Sequence, residues 1–323
     1  MGPDAVFGDL VIAGPGSVPR WRNRPVDTDS RRRTVVALLV PAIVAIAGPA
    51  RAQVELSGSW AARNHEETLE RGFGPYAVDY TGLPLNDDGR AKALSYSASQ
   101  LATIERQCGL YPPHYLVLGP FGMKIWNETD PVSGETIAWK VGAWEDRAPL
   151  VIWMDGRPHP SANAPHEQTG FTTGRWEGDT LVTRTTHIKA GVIRRNGAPN
   201  GDRATIAMHF IPNDDLLTVL TFIDDPDYLT EPEVITKTFQ LGTAPIRPIG
   251  PPCVPVFEGA SGDVPHHLPG ENPFIGELTG LYGIPSGAVL GGAETMYPEY
   301  RGRLREGFVR PEKCARNCGA PPR

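Results

Sequence analysis

The chain has 323 residues, 40% of them hydrophobic and 21% charged, with Gly 36 and Pro 33. That length suits one large domain or two small ones, and so many turn-formers argue against a helix bundle. The formal net charge is −6; residues 1–52 hold seven Arg and four Asp, a net of +3, which leaves −9 for the remainder and disfavours nucleic acid as a partner, since an acidic surface repels phosphate.

Arg31-Arg32-Arg33 precedes an uncharged run from Val35 to Ala47, a Gly48-Pro49 break and Ala50-Arg51-Ala52. This is the order of an n-region, an apolar h-region and an A-x-A cleavage site. The run is too short for a membrane span, which needs roughly 20 apolar residues. Residues 1–52 are therefore expected to be a signal peptide with an extended n-region, or one with a misassigned start near Val26. The mature chain is expected to be periplasmic or extracellular, without a transmembrane segment. Cys108, Cys253, Cys314 and Cys318 remain after cleavage, an even number that favours disulfides in an oxidising compartment. Three pairings are open; Cys108 with Cys253 and Cys314 with Cys318 is preferred, because the last two share a Pro- and Gly-flanked tail.

Leu56 to Trp60 reads as a first strand, and Asp87 to Tyr96 as a short helix with Ala91, Leu94 and Ala98 on one face. A helical turn is expected over Leu101–Gln107. Strand patterns then dominate: Met123–Glu128 and Thr136–Gly142 around Asp130–Gly134, Leu150–Met154, Phe171–Trp176 and Thr180–Ile188 around Glu177-Gly178-Asp179. Arg203–Ile211 puts Ala204, Ile206, Met208 and Phe210 on one face. Leu216–Ile223 and Glu233–Leu241 close the series. Eight prolines from Pro245 to Pro273 predict an extended strap, with short helices returning near Glu277 and Met296. The fold expected is all-β, an antiparallel meander closing into a calycin-like barrel, with a β-sandwich as the alternative. The chain divides into 1–52, a barrel domain over 53–245 with a helical insert near 87–107, and a strap and tail over 246–323.

Two segments, Trp153-Met154-Asp155-Gly156-Arg157-Pro158-His159-Pro160 and Gly174-Arg175-Trp176-Glu177-Gly178-Asp179-Thr180-Leu181-Val182, resemble paired motifs of a large family of exported bacterial proteins. Asp225-Pro226-Asp227-Tyr228-Leu229-Thr230-Glu231-Pro232 is similar to the same family, and the likeness spans roughly Cys108 to Leu241. The resemblance implies export and a single β-domain; it assigns no activity and no catalytic residue.

Chemistry is sought first at Asp155, Arg157 and His159, at a strand end, where a rigid imidazole beside a carboxylate suits acid–base work. The plain alternative is a turn stiffened by prolines, with Arg157 paired to Asp155. Glu177 and Asp179 read as turn residues and Trp176 as a cap on the barrel end. His187, placed on the side of Leu181, Thr183 and Thr185, and Arg194 are expected to reach a polar interior and hold a ligand group. Trp126, Trp139, Trp153 and Trp176 are candidate lining or rim residues. Histidine spacing offers no metal motif, and phosphate-loop, dinucleotide and Gly-x-Ser-x-Gly patterns are missing, so no cofactor is expected. The leading expectation is a barrel that binds a small, largely apolar molecule. Its alternatives are a cofactor-free hydrolase, lyase or isomerase using His159 or His187 with Asp155, and an envelope interaction protein.

Overall fold

The computed structural model describes residues 54–63, 76–97, 99–100, 112–115, 122–142, 149–194, 196–244, 254–256 and 266–306. The segment 1–52 expected to be a signal peptide, all four cysteines, the turn expected over Leu101–Gln107 and much of the proline strap lie outside them.

Among the described residues there are eleven strands, most of them marked by alternating apolar and polar residues: β1 Gly58–Ala62, β2 Met123–Thr129, β3 Thr136–Gly142, β4 Leu150–Trp153, β5 Phe171–Glu177, β6 Thr180–Thr186, β7 Gly191–Val192, β8 Pro199–Asn200, β9 Thr205–Asn213, β10 Leu216–Asp224 and β11 Glu233–Gly242. Nine form a closed barrel in the order β1-β11-β10-β9-β6-β5-β4-β3-β2, while β7 and β8 make a separate ribbon. Closure runs through β1, where Trp60 lies opposite both Leu241 and Met123. A closed wall leaves no row of unpaired backbone groups to recruit another chain.

The hairpins follow local chemistry. β5 and β6 are joined by Gly178-Asp179, with Gly178 at φ 62, the left-handed value that the first position of a tight hairpin turn assigns to glycine. At the β2–β3 tip the Asp130 carboxylate accepts from the main-chain N–H groups of Val132 and Ser133, both at 2.8 Å. These bonds, that of Ser133 foremost, hold its carboxyl below the usual range.

The meander breaks once. β4 and β5 run parallel, with Ile152 opposite Thr172, and residues 154–170 cross from one end of the wall to the other. Parallel neighbours need such a crossover, whereas a hairpin suffices for antiparallel ones. The Pro-rich stretch after Trp153 cannot make a tight hairpin, and the pairing expected to be antiparallel is parallel.

One apolar cluster fills the barrel: Trp60, Met123, Trp139, Ile152, Phe210, Phe239 and their inward neighbours are almost wholly buried. A second covers one end, where Tyr80, Leu83 and Leu85 meet Ile223 and Ile235 of the wall and Leu278 and Val289 of the C-terminal segment. That segment carries short helices α2 Glu277–Tyr282 and α3 Ser286–Val289, a 3₁₀ turn Ala293–Met296, and α4 Pro298–Glu306.

Helix α1, Asp87–Leu94, is capped by Asn86, whose side-chain oxygen accepts from the Gly89 N–H at 2.8 Å. It buries Gly89 and Ala93, while Ala91, expected on the buried face, is exposed. The correction follows from the Asp225–Pro232 motif: the Tyr228 carbonyl accepts from the Asn86 N–H at 3.0 Å and would lie 2.5 Å from a Cβ at Gly89. Thr230 completes the seam by donating its N–H to the Pro84 carbonyl at 2.9 Å. Gly89→Ala should therefore invert the usual gain of about 1 kcal/mol for glycine replacement in a helix. We expect a net loss of about 1–2 kcal/mol from overpacking, read by urea unfolding; a gain would show that the seam yields freely.

Candidate functional site

The crossover 154–170 is fastened to the outer wall by three histidines. His159 spans two strands, with Nδ1 2.8 Å from Thr186 Oγ1 and Nε2 2.9 Å from Thr173 Oγ1. Thr186 Oγ1 lies 2.7 Å from His187 Nδ1, and His187 Nε2 lies 2.9 Å from the Ser161 carbonyl. His166 donates from Nδ1 to the Ile188 carbonyl at 2.9 Å, its ring 5.2 Å from that of His187.

The terminal carbonyl sets the direction of this chain, because a carbonyl only accepts. His187 must donate from Nε2, and when its ring is neutral it accepts at Nδ1 from the Thr186 hydroxyl. Thr186, having spent its one hydrogen, accepts from His159 Nδ1–H. His159 then accepts at Nε2 from the Thr173 hydroxyl. Burial is the first cause acting on His159 and lowers its pKa; Arg184 and His187 lower it further. Arg184→Gln should move the His159 midpoint up toward its ordinary value, followed by NMR of the imidazole. A midpoint that stays put would deny Arg184 its part. Acid should also loosen the crossover: with the folded-state pKa depressed, stability is complete above the unfolded value and is lost as pH falls through it.

Asp155 does not join this chain. Arg157 holds both of its carboxylate oxygens through Nε at 2.9 Å, and the guanidinium lies 3.5 Å from the Trp153 ring centroid. The arginine keeps the Asp155 carboxyl below the usual range. Asp155 and His159 therefore belong to separate contacts, and the expected carboxylate–imidazole pair is corrected: in an extended Pro-flanked segment, residues four apart are too far from each other to share a proton.

His187 is also corrected. Strand β6 ends at Thr186, and His187 has φ 58, so it leaves the alternation that would have aligned it with Thr183 and Thr185. It serves the outer wall, away from the interior where a ligand contact was expected. Arg194, its expected companion, pairs instead with Glu233 at 3.2 Å. Of the four tryptophans, Trp139 and Trp176 face inward and meet edge to face at 6.4 Å between centroids. Trp153 and Trp126 sit on the opposite strand face, beneath Arg157 and 5.5 Å from Lys124 respectively.

The interior holds polar residues that the motif reading missed. Thr172 and Thr185 join their hydroxyls at 2.8 Å, and Thr183 accepts from the Met208 N–H at 3.3 Å. Thr221, Glu233 and Lys237 are buried on the inner face of β10 and β11, with Lys237 Nζ 5.3 Å from the Phe239 ring. Glu233 and Lys237 share strand parity with Ile235 and Phe239, and this alternation was legible as two charges on an apolar face. Thr221 Oγ1, Trp139 Nε1 and Trp176 Nε1 are buried without a hydrogen-bond partner.

Among the described residues no group of three or more His, Cys, Asp or Glu is placed to hold a metal ion, and no helix is long and apolar enough to cross a membrane. Comparison with protein-family models, curated proteins and solved structures finds no match to this chain.

Proposed function

We propose that the protein is exported and that its barrel binds a small, largely apolar molecule. What supports this reading is the inner wall, apolar but for the charged Glu233 and Lys237 and a few threonine and tryptophan atoms, three of which (Thr221 Oγ1, Trp139 Nε1 and Trp176 Nε1) are buried without a partner. Such atoms typically cost a fold about 1–3 kcal/mol each, and a guest carrying one or two polar atoms recovers part of that. The wall's side chains already touch, so the guest is small and the wall must yield to admit it. Met123, Met154 and Met208 line it, and unbranched methionine repacks at low cost. Export rests on residues 31–52, and kinship with the exported bacterial family on the paired motifs.

The test is mass spectrometry of the mature protein under native conditions. One small apolar molecule retained at close to one per chain supports binding. A protein that retains nothing and shows no change in tryptophan emission with any small apolar compound is not a binder. The acid–base alternative draws on the ordered Thr173–His159–Thr186–His187 chain, in which His159 Nε2 is set to take a proton from a hydroxyl. It must work without Asp155, and it predicts a turnover that His159→Ala abolishes.

A further inference from the structure

His114 is a fully buried titratable side chain that none of the contacts described above uses. Pro112, Pro113, His114 and Tyr115 are all buried, and His114 is 0% exposed. Neither of its ring nitrogens has a hydrogen-bond partner. Burial favours the neutral ring, the Ile193 main chain opposes this with a contact that falls short of a hydrogen bond, and Arg194 reinforces it; the pKa is pushed down to about 3. A neutral imidazole offers one N–H donor and one lone-pair acceptor, and here both are unused.

The surroundings decide what should meet them. Arg194, close enough to act on His114, gives its guanidinium to Glu233 at 3.2 Å. Glu233 stands on the inner face at the start of β11, opposite Ile223, and Thr221 is the next inward residue along β10. The cation and the anion at this end therefore neutralise each other. A carboxylate arriving there would sit beside Glu233, and an ammonium beside Arg194; either would be buried without a counter-charge of its own. A hydroxyl or a carbonyl brings no such charge and can use His114 as donor or acceptor, with the Thr221 hydroxyl as a second contact.

We infer that the guest's polar end is an uncharged hydroxyl or carbonyl group, held by His114 at the end of the barrel where Arg194 pairs with Glu233. This rests on the binding reading above and narrows it to small neutral amphiphiles such as alcohols and ketones.

Titration calorimetry of the mature protein with octan-1-ol, octanoate and octylamine at neutral pH tests it without a variant. Octanol should bind about tenfold more tightly than either charged analogue, the worth of one buried hydrogen bond. His114→Leu should weaken octanol by a similar factor and leave the charged analogues unchanged. Equal affinity for octanol and octanoate or octylamine overturns the neutral-end inference and leaves the binding reading standing, as does a His114→Leu protein that keeps the octanol advantage. If none of the three compounds binds, the binding reading itself fails and takes this inference with it.

Discussion

His114→Leu is expected to raise the stability of the protein at neutral pH and to remove a large part of its sensitivity to acid. The wild-type ring is fully buried with two unpartnered nitrogens, a state that costs about 1–3 kcal/mol relative to an apolar side chain of similar volume. Leucine is close enough in size to fill the site with little strain. The pH dependence has a definite sign. The ring titrates at about 3 when folded and near 6.5 when unfolded, so between these values the unfolded chain binds the proton first. The contribution is complete above the unfolded value and is lost as pH falls toward 3, at up to about 1.4 kcal/mol per pH unit. Urea unfolding at neutral pH and about two units lower should show this slope in the wild type and a shallower one in His114→Leu. Parallel slopes would mean that His114 does not titrate as its burial requires.

Glu233→Gln should be the most damaging conservative change in the inner wall. The Glu233 side chain is 4% exposed and its partner Arg194 21% exposed. Removing one charge of a buried pair leaves the other without its counter-ion, typically at a cost of 3–5 kcal/mol. Because Arg194 keeps some access to water, a loss of about 3 kcal/mol is expected. The double variant Arg194→Met with Glu233→Leu should recover most of it, since two apolar side chains avoid the desolvation that the ion pair incurs. Chemical denaturation of the three proteins decides the matter. A Glu233→Gln protein as stable as the wild type would show that the pair is not buried in any energetic sense.

Both residues were hard to weigh from sequence, for different reasons. Glu233 stood in a clear period-two pattern, yet a charge on an apolar face looks the same whether a partner awaits it or the strand end is exposed. His114 follows two prolines outside any periodic segment, and nothing local signals that the chain buries it. His159 was expected beside Asp155. Its contacts are Thr173 and Thr186, brought to it by the β5–β6 hairpin. The first motif thus meets the β5–β6 hairpin that carries the second, and the third, Asp225–Pro232, clamps helix α1 to the wall.

By itself the amino-acid sequence determined the strands and their turns, because side-chain alternation and residues such as Gly178 and Asp130 act over a few positions. It favoured a closed wall over the alternative sandwich, since so long a series leaves exposed edges otherwise. Only the tertiary structure decided which way β5 would run, since a parallel neighbour is chosen by where the 154–170 crossover can pack. It likewise decided which face each histidine and tryptophan serves. His187 turns outward at a single left-handed residue, and Arg194, in the segment between β7 and β8, finds Glu233 on the barrel wall. Contacts between residues distant in the chain depend on the closed wall and on its register, and neither is written in any one segment.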